Sequence, residues 1–296
     1  MTQEMVGNAD GGRRGHAQRP AGGGGRQRLP HRKVRVASAQ RLSEHLVELV
    51  VEGELDGWQA AGAGGHFKVF VPDQAGGQAM RTYTVRRFDA DAGRLAIDFA
   101  LHDEGPAAAF ARTAAVGDEF EISGLSRPGF ELGGDSEWIV LIADLSALPA
   151  VCAIAESLPA GLPAMALVEA PDQQLAIASD AALVVRWLEA GQEPCQRLAE
   201  AALALALPEG PGEVWVGCEA AAMRTIRRHL LGDLGLPAQR VHTRAYWKRG
   251  VAGHSDHDTG ADADGGPGRV EPGGAGTPPV LAADAASAHS EGGRHE

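Results

Sequence analysis

Cysteine is scarce in this chain: Cys152, Cys195 and Cys218 are the only three among 296 residues. They show no CxxC spacing and are odd in number. This argues against a disulfide framework, a structural zinc site or a cysteine-held iron–sulfur cluster, and the expected setting is reduced and cytoplasmic. Any apolar stretch of membrane length is also missing. The longest runs, residues 138–143 and 201–207, fall far short of the roughly 20 residues that a bilayer span requires. The N-terminal residues hold no apolar core of the kind an export signal needs. Positive charge is outweighed as well, with 27 Lys and Arg against 39 Asp and Glu for a net charge of −12. That balance argues against a nucleic-acid-binding surface over the whole molecule. There is no internal repeat, and the absence of GxGxxG removes the ordinary Rossmann fingerprint.

Large apolar side chains are missing from both ends. Residues 1–32 carry Gly22-Gly23-Gly24-Gly25 among scattered arginines, and residues 251–296 are rich in Gly, Ala, Asp, His and Pro. Neither composition can offset the entropy of chain ordering, so both are expected to be disordered, solvating tails, the first basic and the second acidic. The tail histidines His254 and His257 read as part of a polar tail and not as metal ligands. The length in between suits two domains, 33–135 and 136–250. In the first, residues 34–37, 46–51, 67–71, 83–88, 95–101 and 119–123 are short alternating segments broken by glycine, the pattern of an antiparallel Greek-key β-barrel. In the second, strand-length apolar runs at 138–143, 164–169, 213–217 and 241–246 are interleaved with helical stretches at 147–158, 181–190, 194–207 and 220–231. This βαβ order implies a mostly parallel sheet, so the fold class is a β domain followed by an α/β domain.

The most informative stretch is Arg81-Thr82-Tyr83-Thr84, followed by Asp98-Phe99-Ala100-Leu101-His102 and then Gly105-Pro106-Ala107. An alternating strand that offers an arginine, an aromatic ring and a hydroxyl can meet a flavin with a cation for phosphate, a flat face and a hydrogen bond for the ring edge. Next comes a strand in which Leu95, Ile97, Phe99 and Leu101 alternate, a turn at Gly105, and Pro106 at a first helical position. A helix starting there aims free N–H groups at a pyrophosphate.

These pieces, in this order, resemble the siderophore-interacting protein family, flavin-dependent ferric-siderophore reductases of the ferredoxin-reductase-like superfamily. The resemblance runs from about residue 34 to 250. It also draws on Gly65-His66-Phe67-Lys68-Val69, on the segment 144–150, on Val214-Trp215-Val216-Gly217-Cys218-Glu219, and on Tyr246-Trp247-Lys248-Arg249-Gly250. It implies FAD on the barrel and NADH or NADPH on the second domain. Arg81 would then pair with the flavin phosphates, a task that suits a bidentate guanidinium. Tyr83 would pack on the ring or ribityl and Thr84 would hydrogen-bond near N5, while His66, His102, Gly105, Pro106 and Ala107 complete the flavin contacts.

On the nucleotide side the family pattern reaches Asp144, Ser146 and Glu219, with Cys218 standing where the family has glycine. Asp144 and Ser146 read in two ways, as contacts to nicotinamide or phosphate and as N-cap residues of the following helix. Cys218 reads as a buried, inert thiol. Glu169, ending a strand, favours a free ribose over a 2′-phosphate. A ferric siderophore is anionic and bulky, so it requires an open, cationic mouth, and Lys68, Arg127, Lys248 and Arg249 match or lie near the family's basic positions there. The implied reaction passes hydride from the nucleotide to FAD and single electrons from the flavin to ferric iron. Two alternatives are a flavin reductase or diaphorase with another acceptor such as ferredoxin, and a non-catalytic module that binds flavin or siderophore. A monomer with no nucleic-acid partner and no membrane span is expected.

Overall fold

The computed structural model describes residues 30–73, 76–101, 105–171, 175–254 and 258–260. Seven antiparallel strands build the first half: β1 (Arg32–Arg41), β2 (Leu46–Gly53), β3 (His66–Pro72), β4 (Gln78–Thr84), β5 (Arg87–Asp89), β6 (Arg94–Ala100) and β7 (Glu119–Arg127), in the sheet order β4-β3-β7-β1-β2-β6-β5. Alternation along each strand sends one set of side chains inward, so Leu49, Phe67, Val69, Leu95, Ile97, Phe99 and Ile122 are fully buried in a barrel-like core. Helix α1 (Pro106–Thr113) follows β6 and buries Ala107, Ala108 and Ala111 against this core.

The second half is a five-stranded parallel sheet of β8 (Trp138–Asp144), β9 (Pro163–Glu169), β10 (Ala182–Leu188), β11 (Gly212–Glu219) and β12 (Val241–Trp247), ordered β10-β9-β8-β11-β12. The central strands β8 and β11 are buried at every residue, as expected when helices cover both faces of a parallel sheet. Those helices are α2 (Leu148–Ser157), α3 (Gln196–Leu203) and α4 (Ala220–Arg228). No helix among the described residues is long and apolar enough to cross a membrane.

Two segments expected to be helical differ. Residues 181–190 hold β10, which pairs in parallel with β9 from Ala182 opposite Pro163 to Leu188 opposite Glu169. The flanking alanines suggest helix, but Leu183-Val184-Val185 favours an extended chain whose burial alternates residue by residue. The helix expected over 194–207 is confined to α3, because Cys195 adopts a left-handed conformation (φ 59°) and Glu169 caps the turn that follows.

The domains are packed against each other. Leu46, Ala100 and Phe130 join one apolar cluster with Ile139, Leu148, Val151 and Ile154. Gly64 (φ +67°) lies so close to Ala150 of α2 that a Cβ there would come within 3.1 Å of the alanine side chain. Beside it, Arg86 grips Glu156 of α2 with two hydrogen bonds of 2.8 and 2.6 Å and approaches Asp98 at 3.5 Å. The folded chain also continues past Gly250. Asp258 accepts a backbone bond from Ala245 at 2.9 Å and pairs with Arg224, and Thr243 donates to the Thr259 carbonyl. A tail boundary at residue 250 therefore leaves out a segment that covers the free edge of β12. His254 lies 3.7 Å from Asp258, whereas His257 falls outside the described residues.

Candidate functional site

Register decides which side chains of β4 can act together. Cross-strand partners share a face of the sheet. Tyr83 and Arg81 stand opposite Phe67 and Val69, on the core side, while Thr84 and Thr82 stand opposite His66 and Lys68 on the other side. The Arg-Thr-Tyr-Thr motif is thus split over two faces of one strand. β4 is the terminal strand of its sheet. On the core side, Tyr83 packs on Phe99 with ring centroids 4.3 Å apart, and burial pushes its phenol up from the usual range. The Arg81 guanidinium donates to the Met80 carbonyl at 2.9 Å. Gly105 precedes α1 in an extended conformation, Pro106 occupies the first turn, and no side chain among the described residues caps the helix. His102 lies outside the described residues.

The other face of β4 meets the second domain. His66, 3 % exposed, places Nε2 3.0 Å from the Tyr246 hydroxyl and Nδ1 3.1 Å from Nη1 of Arg244. Burial pushes the Tyr246 phenol up to about 12. Sequence reasoning missed Arg244 and Tyr246 as site residues. The available signal was their i, i+2 spacing on the last strand, which puts both on one face.

At the carboxyl ends of β8 and β11, Asp144 is the hub. One carboxylate oxygen accepts from the Ser146 amide at 2.9 Å and from its hydroxyl. The other accepts from the indole of Trp247 at 2.7 Å, the amide of Glu219 at 3.1 Å and the thiol of Cys195 at 3.3 Å. Of the two readings of Asp144, the capping one describes what this side chain does here. Glu219 caps α4 through the amides of Ala221 and Ala222. Glu169 is buried, with its two oxygens accepting from the amides of Cys195 and Leu198 at 2.8 Å each, so its carboxylate is turned to α3. The Cys195 thiol is driven far up by its hydrogen bond with Cys218 and by burial. For Cys218 that same bond lowers the value, but burial together with the nearby carboxylates of Asp144, Glu219 and Glu169 raises it on balance. Both are in the un-ionised, unreactive condition.

The basic residues expected at a substrate mouth come from three parts of the fold, β3, β7 and the turn after β12. Lys68 donates to Thr82 at 2.6 Å, and Arg127 lies opposite His66 in the β3–β7 ladder. Lys248 is exposed in the turn after β12, and Arg249 is ion-paired with Glu193.

Comparison with known proteins adds a lineage to this geometry. Residues 76–128, which include Arg81, Thr84 and the start of α1, match the siderophore-interacting FAD-binding domain, and residues 136–250 match the siderophore-interacting protein family. A siderophore utilization protein from T. fusca is 30% identical. Its structure has a TM-score of 0.70, with 78% of this chain and 97% of that one covered. The chain belongs to the siderophore-interacting protein family. A second structure in this family, SipS from Aeromonas hydrophila, is 31% identical with a TM-score of 0.67, covering 76% of this chain and 94% of that one. The ferric vibriobactin reductase ViuB of Vibrio cholerae is 28% identical over 242 residues, which is 73% of this chain and 89% of the relative. Within this family setting, the barrel and the parallel sheet are the two halves of a ferredoxin-reductase-like fold.

Proposed function

We propose that this protein is a flavin-dependent ferric-siderophore reductase that takes electrons from NADPH or NADH. The observation that carries the reading is the match of residues 76–128 to the siderophore-interacting FAD-binding domain, a span that includes β4, the partner of the strand whose His66 meets the second domain. The residues present fit the cofactor. Among the described residues a Cβ added at Gly105 would meet nothing within 4 Å and no side chain caps α1, so a bulky anion fits at the start of that helix, where free N–H groups and the helix dipole favour phosphate. Arg81 adds a guanidinium with donors to spare, Tyr83 a flat face at the strand edge, and Thr84 a hydroxyl at the domain joint.

When bound, the flavin supplies the conversion of a two-electron donor into one-electron steps. The chain's own part is placement and charge. Arg81 and the α1 amides hold the phosphates, and Thr84 fixes the ring edge where the two domains meet. Lys248, exposed beside the joint, draws in an anionic ferric complex. With its carboxylate committed to α3, Glu169 sets no preference between a free ribose and a 2′-phosphate.

The test is a titration of FAD into the wild-type protein and into Arg81→Ala, followed by anaerobic addition of each nucleotide. Wild type is expected to take up FAD and to bleach with nucleotide. The variant should bind FAD about tenfold or more weakly, because a hydrogen bond to a charged group is worth roughly 1.5–3 kcal/mol. A wild-type protein that takes up no FAD would overturn the reading, and equal FAD affinity in the variant would remove Arg81 from it.

A further inference from the structure

Helix α2 meets the barrel at two points that differ in kind. At residue 150 the contact is steric: Gly64, at φ +67°, comes so near that an added Cβ would lie 3.1 Å from the Ala150 side chain and 3.2 Å from its Cα. At residue 156 the contact is ionic. Arg86 is anchored to the barrel by its amide, which donates to the Ala96 carbonyl at 3.2 Å, and by an ion pair with Asp98 at 3.5 Å. Its Nη1 and Nη2 donate to the two carboxylate oxygens of Glu156 at 2.8 and 2.6 Å. Those bonds hold the Glu156 carboxyl below the usual range. Only 12% of the Arg86 side chain is exposed, so salt screens the pair less than it would a surface pair. Two parallel bonds also fix a direction, which an apolar contact does not.

A cleft of about 650 Å³ opens beside these two points, with Gly64, Arg86, Phe130, Ala153 and Glu156 in its lining. From residue 150 to residue 156 a helix rises about 9 Å, so the ion pair acts on α2 as on a lever pivoted at Ala150. Beyond the pivot lies the other end of the helix, preceded by Ser146 and its partner Asp144. The apolar cluster of Leu46 and Ala100 with Leu148, Val151 and Ile154 resists separation of the domains, but packed surfaces of that kind shear by small amounts. We propose that Arg86 and Glu156 are positioning residues for hydride transfer from nucleotide to flavin: their clamp sets the angle of α2, and with it the placement of the Ser146 end of the second domain against Thr84 of β4. This deepens the functional reading above and rests on it for the identity of the two ligands. Arg86 follows Thr84 by two positions in the chain, so the anchor of the clamp and the proposed flavin contact belong to one piece of backbone.

Glu156→Gln keeps the shape of the side chain and removes its charge, leaving Arg86 with Asp98 as its ionic partner. A misplacement of 1 Å can cost about 10²-fold in rate. Partial loosening should therefore slow reduction of bound flavin by saturating nucleotide about tenfold. FAD affinity, and reoxidation of photoreduced flavin by dioxygen, should stay near wild type, since neither depends on where the second domain sits. Arg86→Lys, which keeps the charge but loses the paired bonds, should fall between. Arg87→Gln removes a neighbouring charge that pairs with Glu48 inside the barrel at 3.6 Å, and it should leave the rate unchanged.

The decisive experiment has two arms. In the full chain before FAD is added, backbone residual dipolar couplings report the orientation of each domain. One alignment tensor should fit both domains of wild type, whereas Glu156→Gln should require two. A single tensor in Glu156→Gln, equal to that of wild type, overturns the proposal whether or not FAD binds. In the FAD-loaded protein, stopped-flow bleaching by NADPH or NADH should follow the order wild type and Arg87→Gln, then Arg86→Lys, then Glu156→Gln. Equal rates in wild type and Glu156→Gln overturn the proposal, as does a slower rate accompanied by an equal loss of FAD affinity or of reoxidation by dioxygen, which would mark a general loss of structure. Failure of wild type to bind FAD counts against the functional reading and leaves the orientation arm to decide the clamp.

Discussion

At the scale of the residue, buried charge at the domain joint makes the sharpest demand. Asp98 is 4% exposed, and one of its carboxylate oxygens has no hydrogen-bond partner among the described residues. Burial pushes its carboxyl from 3.8 up to about 7, opposed by Arg86 and Arg87 and reinforced by Glu48 and Glu156. Between those two values the folded chain holds a proton that the unfolded chain has released. The associated stability is fully present below the unfolded value and is lost as pH rises through about 7. Asp98→Asn should accordingly raise the melting temperature at about pH 8, by on the order of 1–3 kcal/mol in stability, with the gain shrinking as pH falls below about 7 and vanishing only below the unfolded value of 3.8. A gain that is independent of pH would show that the carboxyl is ionised throughout. Residue types and spacings marked Arg81, Tyr83 and Thr84 in the sequence as a candidate ligand strand. They could not reveal that His66 meets Tyr246, because the two stand 180 positions apart and come together only when two domains pack.

Elements were legible in proportion to how strongly their pattern depended on burial. β8 and β11 are continuous apolar runs and form as read. β10 was misread because an edge strand buries little, so alanine-rich flanks spoke louder than its alternation. The carboxylates of Asp144, Glu169 and Glu219 were legible as special positions, but capping and ligand binding ask for the same residue types at helix starts. The segment after β12 was read as tail because it contains little apolar material. It is held by polar bonds instead, with Asp258 pairing Arg224 and bonding Ala245. A chain ending at Gly250 should therefore melt several degrees below one ending at Gly260, since about 1 kcal/mol corresponds to roughly 2–4 °C at this size. Asp258→Ala in the longer chain should reproduce part of the loss. Equal melting temperatures would mean that these bonds contribute nothing to stability.

At the scale of the whole molecule, the fold brings a barrel edge and the last strand of a parallel sheet to one joint, on a chain of net charge −12. An anionic ferric complex must approach against that overall field, so local cations matter. They are not equivalent, since Arg249 is already balanced by Glu193 while Lys248 stands exposed. Lys248→Ala should slow electron delivery to anionic ferric siderophores more than Arg249→Ala does. The effect should fade as salt rises, because exposed charges are screened over about 10 Å at 0.1 M, and a neutral ferric chelate should be little affected. Equal slowing of neutral and anionic acceptors would place these cations outside the approach path. The central claim is electron transfer from nucleotide through flavin to siderophore-held iron. Its most direct test is anaerobic: the FAD-loaded protein is reduced with one equivalent of NADPH or NADH, mixed with a ferric siderophore, and followed by flavin absorbance alongside a ferrous-specific chelator. The account predicts that the flavin reoxidises as ferrous iron appears, with two ferrous ions per flavin. A flavin that stays reduced, or reoxidises with no ferrous iron formed, would contradict it.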